Sequence, residues 1–256
     1  MIFKILICFI AGIGAGLGTG FAGMSAAAVI SPMLITFLGL PAYEAVGIAL
    51  ASDVLASAVS AYTYGKSGNL DIRNGLVMMA AVLTFTLVGS WAASLVPNTT
   101  MGNFSVVMTF FLGIKFIVKP IMATREAREG VSREKQIIQS IISGVGVGFI
   151  CGFVGAGGGM MMLLLLTSVL GYELKTAVGT SVFIMTFTAF TGAVSHMVIG
   201  GLPDLGCLFF CVLFTLLWAR IAARFANKAS AVTLNRAVGM VLTVLGAAIL
   251  IVNHFS

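Results

Sequence analysis

Apolar residues dominate almost the whole chain, and polar residues interrupt them only briefly. A helix of about 20 apolar residues crosses the hydrocarbon core of a bilayer, so continuous runs of that length predict membrane-spanning segments. The pattern therefore predicts an all-α polytopic membrane protein. Plain runs of this kind cover residues 43–64, 74–95, 103–121, 175–199, 204–225 and 233–253.

Two further apolar runs, residues 2–38 and 136–170, are too long for one crossing. At 1.5 Å per residue each would reach about 50 Å, against a core of about 30 Å. Glycines interrupt the first run at Gly20–Gly23 and the second at Gly152–Gly159. We therefore expect each run to form two short helices that meet at a glycine break, which brings the total to about ten segments.

The chain also matches itself when it is shifted by 132 residues, without gaps. Such self-similarity indicates two homologous halves. We expect a first transmembrane repeat over 1–121, a charged linker over 122–135 and a second repeat over 136–256. Eight glycines coincide in this register: Gly12 with Gly144, Gly14 with Gly146, Gly16 with Gly148, Gly20 with Gly152, Gly23 with Gly155, Gly39 with Gly171, Gly47 with Gly179 and Gly68 with Gly200.

The positions of lysine and arginine decide the number of crossings in each half. Four crossings per half would leave nine of the 14 cations inside, whereas five with an external N-terminus leave only Lys4 outside. The positive-inside rule favours five and makes the 122–135 linker cytoplasmic. Because five is odd, the halves must have opposite orientations. This is the inverted-repeat plan of secondary transporters, whose substrates bind near the midplane where helices are broken.

Composition narrows the function classes. Hydrophobic residues make up 59% of the chain and charged residues 9%, whereas soluble domains carry about 25% charged residues. A soluble enzyme and a nucleic-acid-binding protein are therefore excluded. The four cysteines lie in apolar runs, which indicates packing. No catalytic set or zinc-ligand signature stands out, so we expect neither an enzyme nor a cofactor or metal site.

The two glycine breaks are the first candidate for function. A helix that begins at such a break exposes N–H groups and about half a positive charge, which together attract anions. Glycine also lets a substrate oxygen approach the backbone closely. The alternative is that these glycines serve only close helix packing, which is common in membranes. The expected substrate-binding residues at the breaks are Gly23, Met24, Ser25, Gly155, Ala156, Gly157, Gly158 and Gly159.

The glycine-rich turn and the Ala177-Val178-Gly179-Thr180-Ser181 segment of the second half resemble the sulfite exporter TauE/SafE family. The first half has related Phe21-Ala22-Gly23 and Ala45-Val46-Gly47 segments, so the resemblance covers nearly the whole chain. It implies a multi-pass plasma-membrane transporter of sulfite, sulfonates or related sulfur-containing anions. The halves differ: the first break has Met24-Ser25-Ala26-Ala27 where the family turn is richer in glycine, and Leu164 replaces the counterpart of Pro32.

Five polar or ionisable positions complete the candidate list. Asp53 lies at the centre of its segment, where an isolated carboxylate is costly, and either carries a coupling proton or cation or is structural. His196 and its repeat mate Tyr64 are candidate gates, with interfacial packing as the alternative. Thr180 and Ser181 are expected to begin a helix after Gly179 and either to bind the anion or to cap that helix.

These features together predict a secondary transporter that exports sulfite or a related oxyanion. The partners would be that small anion and the lipid bilayer, with no nucleic acid. An ion-coupled importer of sulfonates or other organic anions is the alternative, and an anion channel is a weaker one because few polar residues are available to line a pore.

Overall fold

A computed structural model describes residues 2–97, 133–154 and 158–230, together with isolated positions 114, 118, 232, 233, 236, 240, 243, 244 and 247. The continuous stretches are helical except at their connections. The helices are α1 (Ile2–Ala22), α2 (Ala27–Leu38), α3 (Ala42–Lys66), α4 (Ile72–Ser94), α5 (Arg133–Val154), α6 (Gly158–Ser168), α7 (Leu174–Gly200) and α8 (Leu205–Ala226).

Six of the described helices are long and apolar enough to cross a membrane. The predicted segments 43–64, 74–95, 175–199 and 204–225 correspond to α3, α4, α7 and α8, each within two residues at either end. The predicted segments 103–121 and 233–253 lie outside the described residues, apart from isolated positions. The all-helical, multi-pass character is confirmed, whereas the total of ten segments stays a prediction.

The two opening runs do divide at the glycine breaks, but the expectation that both members of each pair are short is wrong. The first members, α1 and α5, have 21 and 22 residues, and only α2 and α6, with 12 and 11, are short. Residues 133–135 of the predicted linker already form the first turn of α5. Glycine disfavours helix by about 1 kcal/mol, yet the glycines inside α1 and α5 stay helical, and neighbouring helices pack against six of them.

This packing explains part of the repeated glycine register. A Cβ added at Gly12, Gly16 or Gly20 would collide with α8, and one added at Gly144, Gly148 or Gly152 would collide with α4. Small residues of this kind allow helix backbones to approach closely in membranes. For these three repeat pairs, close packing is therefore the observed role.

The same contacts give the directions of the helices. Glycines along α1 meet successively later positions of α8, so these two helices run parallel, and α5 runs parallel to α4 in the same way. Helices α3 and α7 run antiparallel, because Gly47 near the start of α3 meets His196 and Gly179 near the start of α7 meets Tyr64. Helix α3 also packs against α2 and α8, which places it at the centre of the described bundle.

The two ends of the bundle differ in charge. At one end the Lys4 ammonium pairs with Asp204, whose N–H donates to Glu44 Oε1 at 2.7 Å. The opposite end, named here the basic end, is where α3 and α8 finish and α4, α5 and α7 begin. Its cations are Lys66, Arg73, Lys135, Lys175, Arg220, Arg224 and Lys228.

Candidate functional site

The first glycine break closes α1 and opens α2 within a few residues. Gly23 has a φ of +62°, a left-handed conformation that suits glycine. Its N–H donates to Thr19 O at 3.0 Å, which is the 5→1 hydrogen bond of an αL helix end, and the N–H of Met24 donates to Gly18 O at 3.2 Å. The Ser25 hydroxyl accepts from Ala27 N at 3.3 Å, just before the N-cap Ala26 and α2.

The second break lies against the first. Helix α5 ends at Val154 and α6 begins at Gly158, while the predicted site residues Gly155, Ala156 and Gly157 lie outside the described residues. A Cβ added at Gly159 would collide with the carbonyl oxygen of Gly23 and the N–H nitrogen of Ser25. The start of α6 and the start of α2 therefore meet at one place, which requires glycine at position 159.

Asp53 occupies the first break. It is completely buried, and its Oδ1 accepts from the Ser57 hydroxyl at 2.9 Å and the Thr19 hydroxyl at 3.4 Å. The Ser25 hydroxyl and the Ala26 N–H at the start of α2 also interact with this carboxyl group. No described residue donates a hydrogen bond to Oδ2 within 3.5 Å. A buried carboxyl group thus lies at a helix N-terminus with acceptor capacity to spare.

The neighbouring residue Ser52 does not bind Asp53. The Ser52 hydroxyl donates instead to Ile48 O at 2.8 Å. Sequence analysis missed Thr19, although a lone hydroxyl one turn before the break in an apolar helix was an available signal. The repeat mate of Asp53, Met185, lies at the second break, where its sulfur is close to Gly159. The two breaks are therefore supported by chemically different side chains.

Tyr64 and His196 make equivalent hydrogen bonds in the two halves. The Tyr64 hydroxyl donates to Gly20 O at 3.1 Å, and His196 Nε2 lies 3.0 Å from Gly152 O. Gly20 and Gly152 are repeat mates in the last turns of α1 and α5, where carbonyl groups lack intrahelical donors. Both side chains are buried. Tyr64 thus links α1 to α3, and His196 links α5 to α7. Their role as gates stays a prediction.

Thr180 and Ser181 do not begin a helix, so this expectation is wrong. Helix α7 begins at Leu174 and both residues lie in its second turn, where neither can be an N-cap. The Ser181 hydroxyl donates to Val178 O at 2.9 Å and lies against Gly23. The Thr180 hydroxyl instead accepts from Asp71 N at 3.1 Å, in the connection before α4. Only Ser181 reaches the breaks.

The structure thus brings together one part of the predicted site: Gly23, Met24, Ser25, Asp53, Gly159 and Ser181. Thr180 lies apart from it, and Tyr64 and His196 flank it from opposite directions. Within the described residues no group of three or more His, Cys, Asp or Glu side chains could hold a metal ion. What the cluster offers is backbone and hydroxyl donors around one carboxyl group, where two short helices begin.

Comparison of the sequence with known proteins identifies the family of this chain. The sequence model of the sulfite exporter TauE/SafE family matches residues 8–249. The chain belongs to this family. It is therefore a multi-pass membrane protein of a transporter family, and the family resemblance noted in the sequence is confirmed.

Curated relatives of this TauE/SafE chain carry transporter names. It is 23% identical to the probable membrane transporter protein YdhB of Bacillus subtilis, over 96% of this chain and 98% of the relative. It is 25% identical to the probable membrane transporter protein YunE of the same organism, over 94% and 93%. These names give neither a substrate nor a direction. No solved structure matches the chain.

Proposed function

We propose that this protein is a secondary transporter that exports sulfite or a related sulfur-containing oxyanion or organosulfonate across the plasma membrane. The family description supports the substrate class. The observation that carries the proposal is the contact between the two breaks, at which Gly159 lies against Gly23 and Ser25. Two helix N-termini that meet inside an apolar bundle offer an anion the N–H donors that the bilayer cannot.

The proposed architecture is ten membrane segments in two inverted repeats. Equivalent helices form equivalent pairs: α1 with α8 and α5 with α4, while α3 pairs with its own mate α7. Their directions support the inversion, since α3 and α7 run antiparallel. The positive-inside rule makes the basic end cytoplasmic and the Lys4–Asp204 end external.

Export is the direction that the membrane potential favours. Moving one charge through the potential is worth about 2.3 kcal/mol per 100 mV. An anion therefore leaves a negative interior downhill, before its concentration gradient is counted. Uptake of the same anion would need a coupling ion.

A second candidate function, proton-coupled import of sulfonates or other organic anions, is favoured by Asp53. Its carboxyl group uses donors at the start of α2 that a substrate anion would also use. Protonation would remove the charge that repels an incoming anion. This position at the break distinguishes Asp53 from a structural carboxylate remote from the site.

The test is anion flux into proteoliposomes, with sulfite, sulfate, thiosulfate and taurine each measured over a range of concentrations. Gly159→Ala should lower sulfite flux strongly, because overpacking of this kind costs about 1–3 kcal/mol. Gly146→Ala is the matched control, since a Cβ at position 146 meets nothing within 4 Å. Saturable flux that Gly159→Ala leaves unchanged would exclude the breaks as the binding site, and flux that does not saturate would indicate a channel.

A further inference from the structure

A strongly positive cavity lies at the basic end, away from the glycine breaks. It has a volume of about 690 Å³ and opens where α3 and α8 finish. Four cations line it: Lys66, Arg220, Arg224 and Lys228. None of the described residues that line it is acidic, and within that same part of the chain no ion pair joins these four cations to a carboxylate.

The depth of this cavity matches a membrane surface. Lys66 is the last residue of α3, and Arg224 lies in the last turn of α8. At 1.5 Å per residue Arg224 lies about 28 Å along α8 from Leu205, nearly the thickness of the hydrocarbon core. The four cations therefore surround the level at which lipid phosphate groups begin. Each of them is solvent-exposed or lipid-exposed in the described structure.

An apolar groove continues from the cavity towards the bilayer centre. It has a volume of about 580 Å³ and runs between α3 and α7, with Ala58 and Phe187 among its lining residues. Tyr62 and Lys66 line both the groove and the basic cavity, so the two are contiguous. Tyr62 is 71% exposed and Phe187 44% exposed. The groove therefore opens on the outer surface of the described bundle.

We propose that the cavity and groove together bind one anionic phospholipid of the leaflet at the basic end. The phosphate group would lie among Lys66, Arg220, Arg224 and Lys228, and an acyl chain would follow the groove past Ala58. Basic pockets between membrane helices recognise anionic headgroups through this charge complementarity. Tyr62, at the junction, has the amphipathic ring that favours the interface between headgroup and acyl chain.

The adjoining groove is what favours a lipid over a soluble anion. A transported oxyanion waiting at the membrane surface would use the four cations but has no apolar part to place beside Ala58 and Phe187. A phospholipid uses both regions at once. Filling the groove alone should therefore weaken the binding of a phospholipid and leave the binding of a soluble anion unchanged.

The first experiment measures lipid binding by native mass spectrometry of the delipidated full chain. The probes are phosphatidylglycerol and phosphatidylcholine with identical acyl chains. Phosphatidylglycerol should bind at least about tenfold more tightly, since each neighbouring cation contributes about fivefold. The double variant Arg220→Gln with Arg224→Gln should weaken its binding about thirtyfold. The control, Arg73→Gln with Lys135→Gln, removes equal charge from the same end outside the cavity and should retain binding.

The second experiment fills the groove with Ala58→Phe while the cations stay in place. Phosphatidylglycerol binding should fall, and an unchanged melting temperature in phosphatidylcholine would show that the variant is folded. Equal binding of the two lipids would overturn the proposal. So would full phosphatidylglycerol binding by the variant Arg220→Gln with Arg224→Gln. It would also be overturned if Ala58→Phe had no effect and millimolar sulfite or inorganic phosphate displaced the lipid, because the cavity would then serve soluble anions.

Discussion

At the scale of single residues, Asp53 is the buried carboxyl group at the first glycine break. Its Oδ1 is hydrogen-bonded to two hydroxyl groups, whereas Oδ2 receives no hydrogen bond within 3.5 Å from the described residues. A buried carboxyl group in a membrane is costly unless it is paired or used. The Asp53 carboxyl group contacts the start of α2, so its negative charge would lie close to an anion bound there. Whether Asp53 repels a bound anion therefore depends on whether its carboxyl group is protonated.

Asp53→Asn tests this coupling, because asparagine keeps the size of the side chain but cannot titrate. If Asp53 carries the proton, flux driven by a pH gradient should vanish, while exchange of anion for anion should survive. The measurement is sulfite flux in proteoliposomes under an imposed pH gradient at clamped voltage. Ser57→Ala is the control, since it removes one hydrogen-bond donor and leaves the carboxyl group able to titrate. An unchanged pH response in Asp53→Asn would leave Asp53 with a structural role only.

Asp204 joins three helices at the Lys4 end: its carboxyl group pairs with Lys4 of α1 and caps α8, and its N–H donates to Glu44 of α3. The ammonium of Lys4 hydrogen-bonds to the Asp204 carboxyl group and lowers its pKa below the usual value, and the N–H of Cys207 acts in the same direction. A lowered pKa in the folded state means that ionised Asp204 stabilises the fold above the unfolded pKa of about 3.9. That contribution is lost as the pH falls from there through the folded pKa.

Asp204→Asn should therefore remove part of the acid sensitivity of the fold. The contribution at neutral pH should be about 0.5–1 kcal/mol, because Lys4 and Asp204 are both partly exposed and solvent screens the pair. The check is a comparison of melting temperatures at pH 7 and at pH 3 in detergent. We expect the variant to melt lower than the native protein at pH 7 and the difference to shrink at pH 3. A difference that is the same at both pH values would contradict an electrostatic contribution.

At the scale of the elements, glycine has two distinct roles in this chain. Inside α1 and α5 it allows close packing on α8 and α4, and these helices stay unbroken. At Gly23 it adopts a left-handed conformation that ends a helix. The same residue type therefore builds both the long helices and the break. What distinguishes the two roles is the contact each glycine makes.

Two glycines of α5 provide a matched test of the packing role. A Cβ at Gly148 would collide with the backbone of Val82 in α4, whereas one at Gly146 would meet nothing within 4 Å. Gly148→Leu should separate α5 from α4 and destabilise the fold by about 1–3 kcal/mol or more. Gly146→Leu should stay within about 0.5 kcal/mol of the native protein. Thermal unfolding in detergent measures both, and equal stability of the two variants would contradict the packing assignment.

At the scale of the whole molecule, charge and helix direction support one orientation in the membrane. Seven described cations gather at the basic end, and Lys4 lies at the other. The positive-inside rule therefore predicts that the basic end is cytoplasmic. The four native cysteines are free and buried in the described structure. A membrane-impermeant reagent should therefore label an introduced surface cysteine and leave these four unlabelled.

The orientation is tested by cysteine labelling of intact cells with a membrane-impermeant maleimide. Leu202→Cys, at a position that is 86% exposed at the Lys4 end, should be labelled from outside. Ser67→Cys, at an exposed position of the basic end, should be labelled only after permeabilisation. The reverse pattern would invert the proposed topology, and with it the leaflet assigned to the phospholipid.

Several features of this protein follow from its sequence alone. The length and hydrophobicity of each run are local properties, so α3, α4, α7 and α8 were predictable to within two residues. The positions of the two breaks were predictable because glycines there interrupt runs too long for one crossing. The repeat register and the family also follow from the order of residues, since neither depends on which side chains meet in space.

Only the tertiary structure decided which of the candidate residues meet at the glycine breaks. Asp53 contacts Thr19, which is 34 positions away, and Gly159 lies against Gly23 across the two halves. Periodicity does not encode such contacts, because they depend on how separate helices pack. The same packing makes α1 and α5 long helices of 21 and 22 residues, where the sequence predicted short ones. Hydrophobicity therefore determined which segments enter the membrane, and packing determined which polar groups meet there.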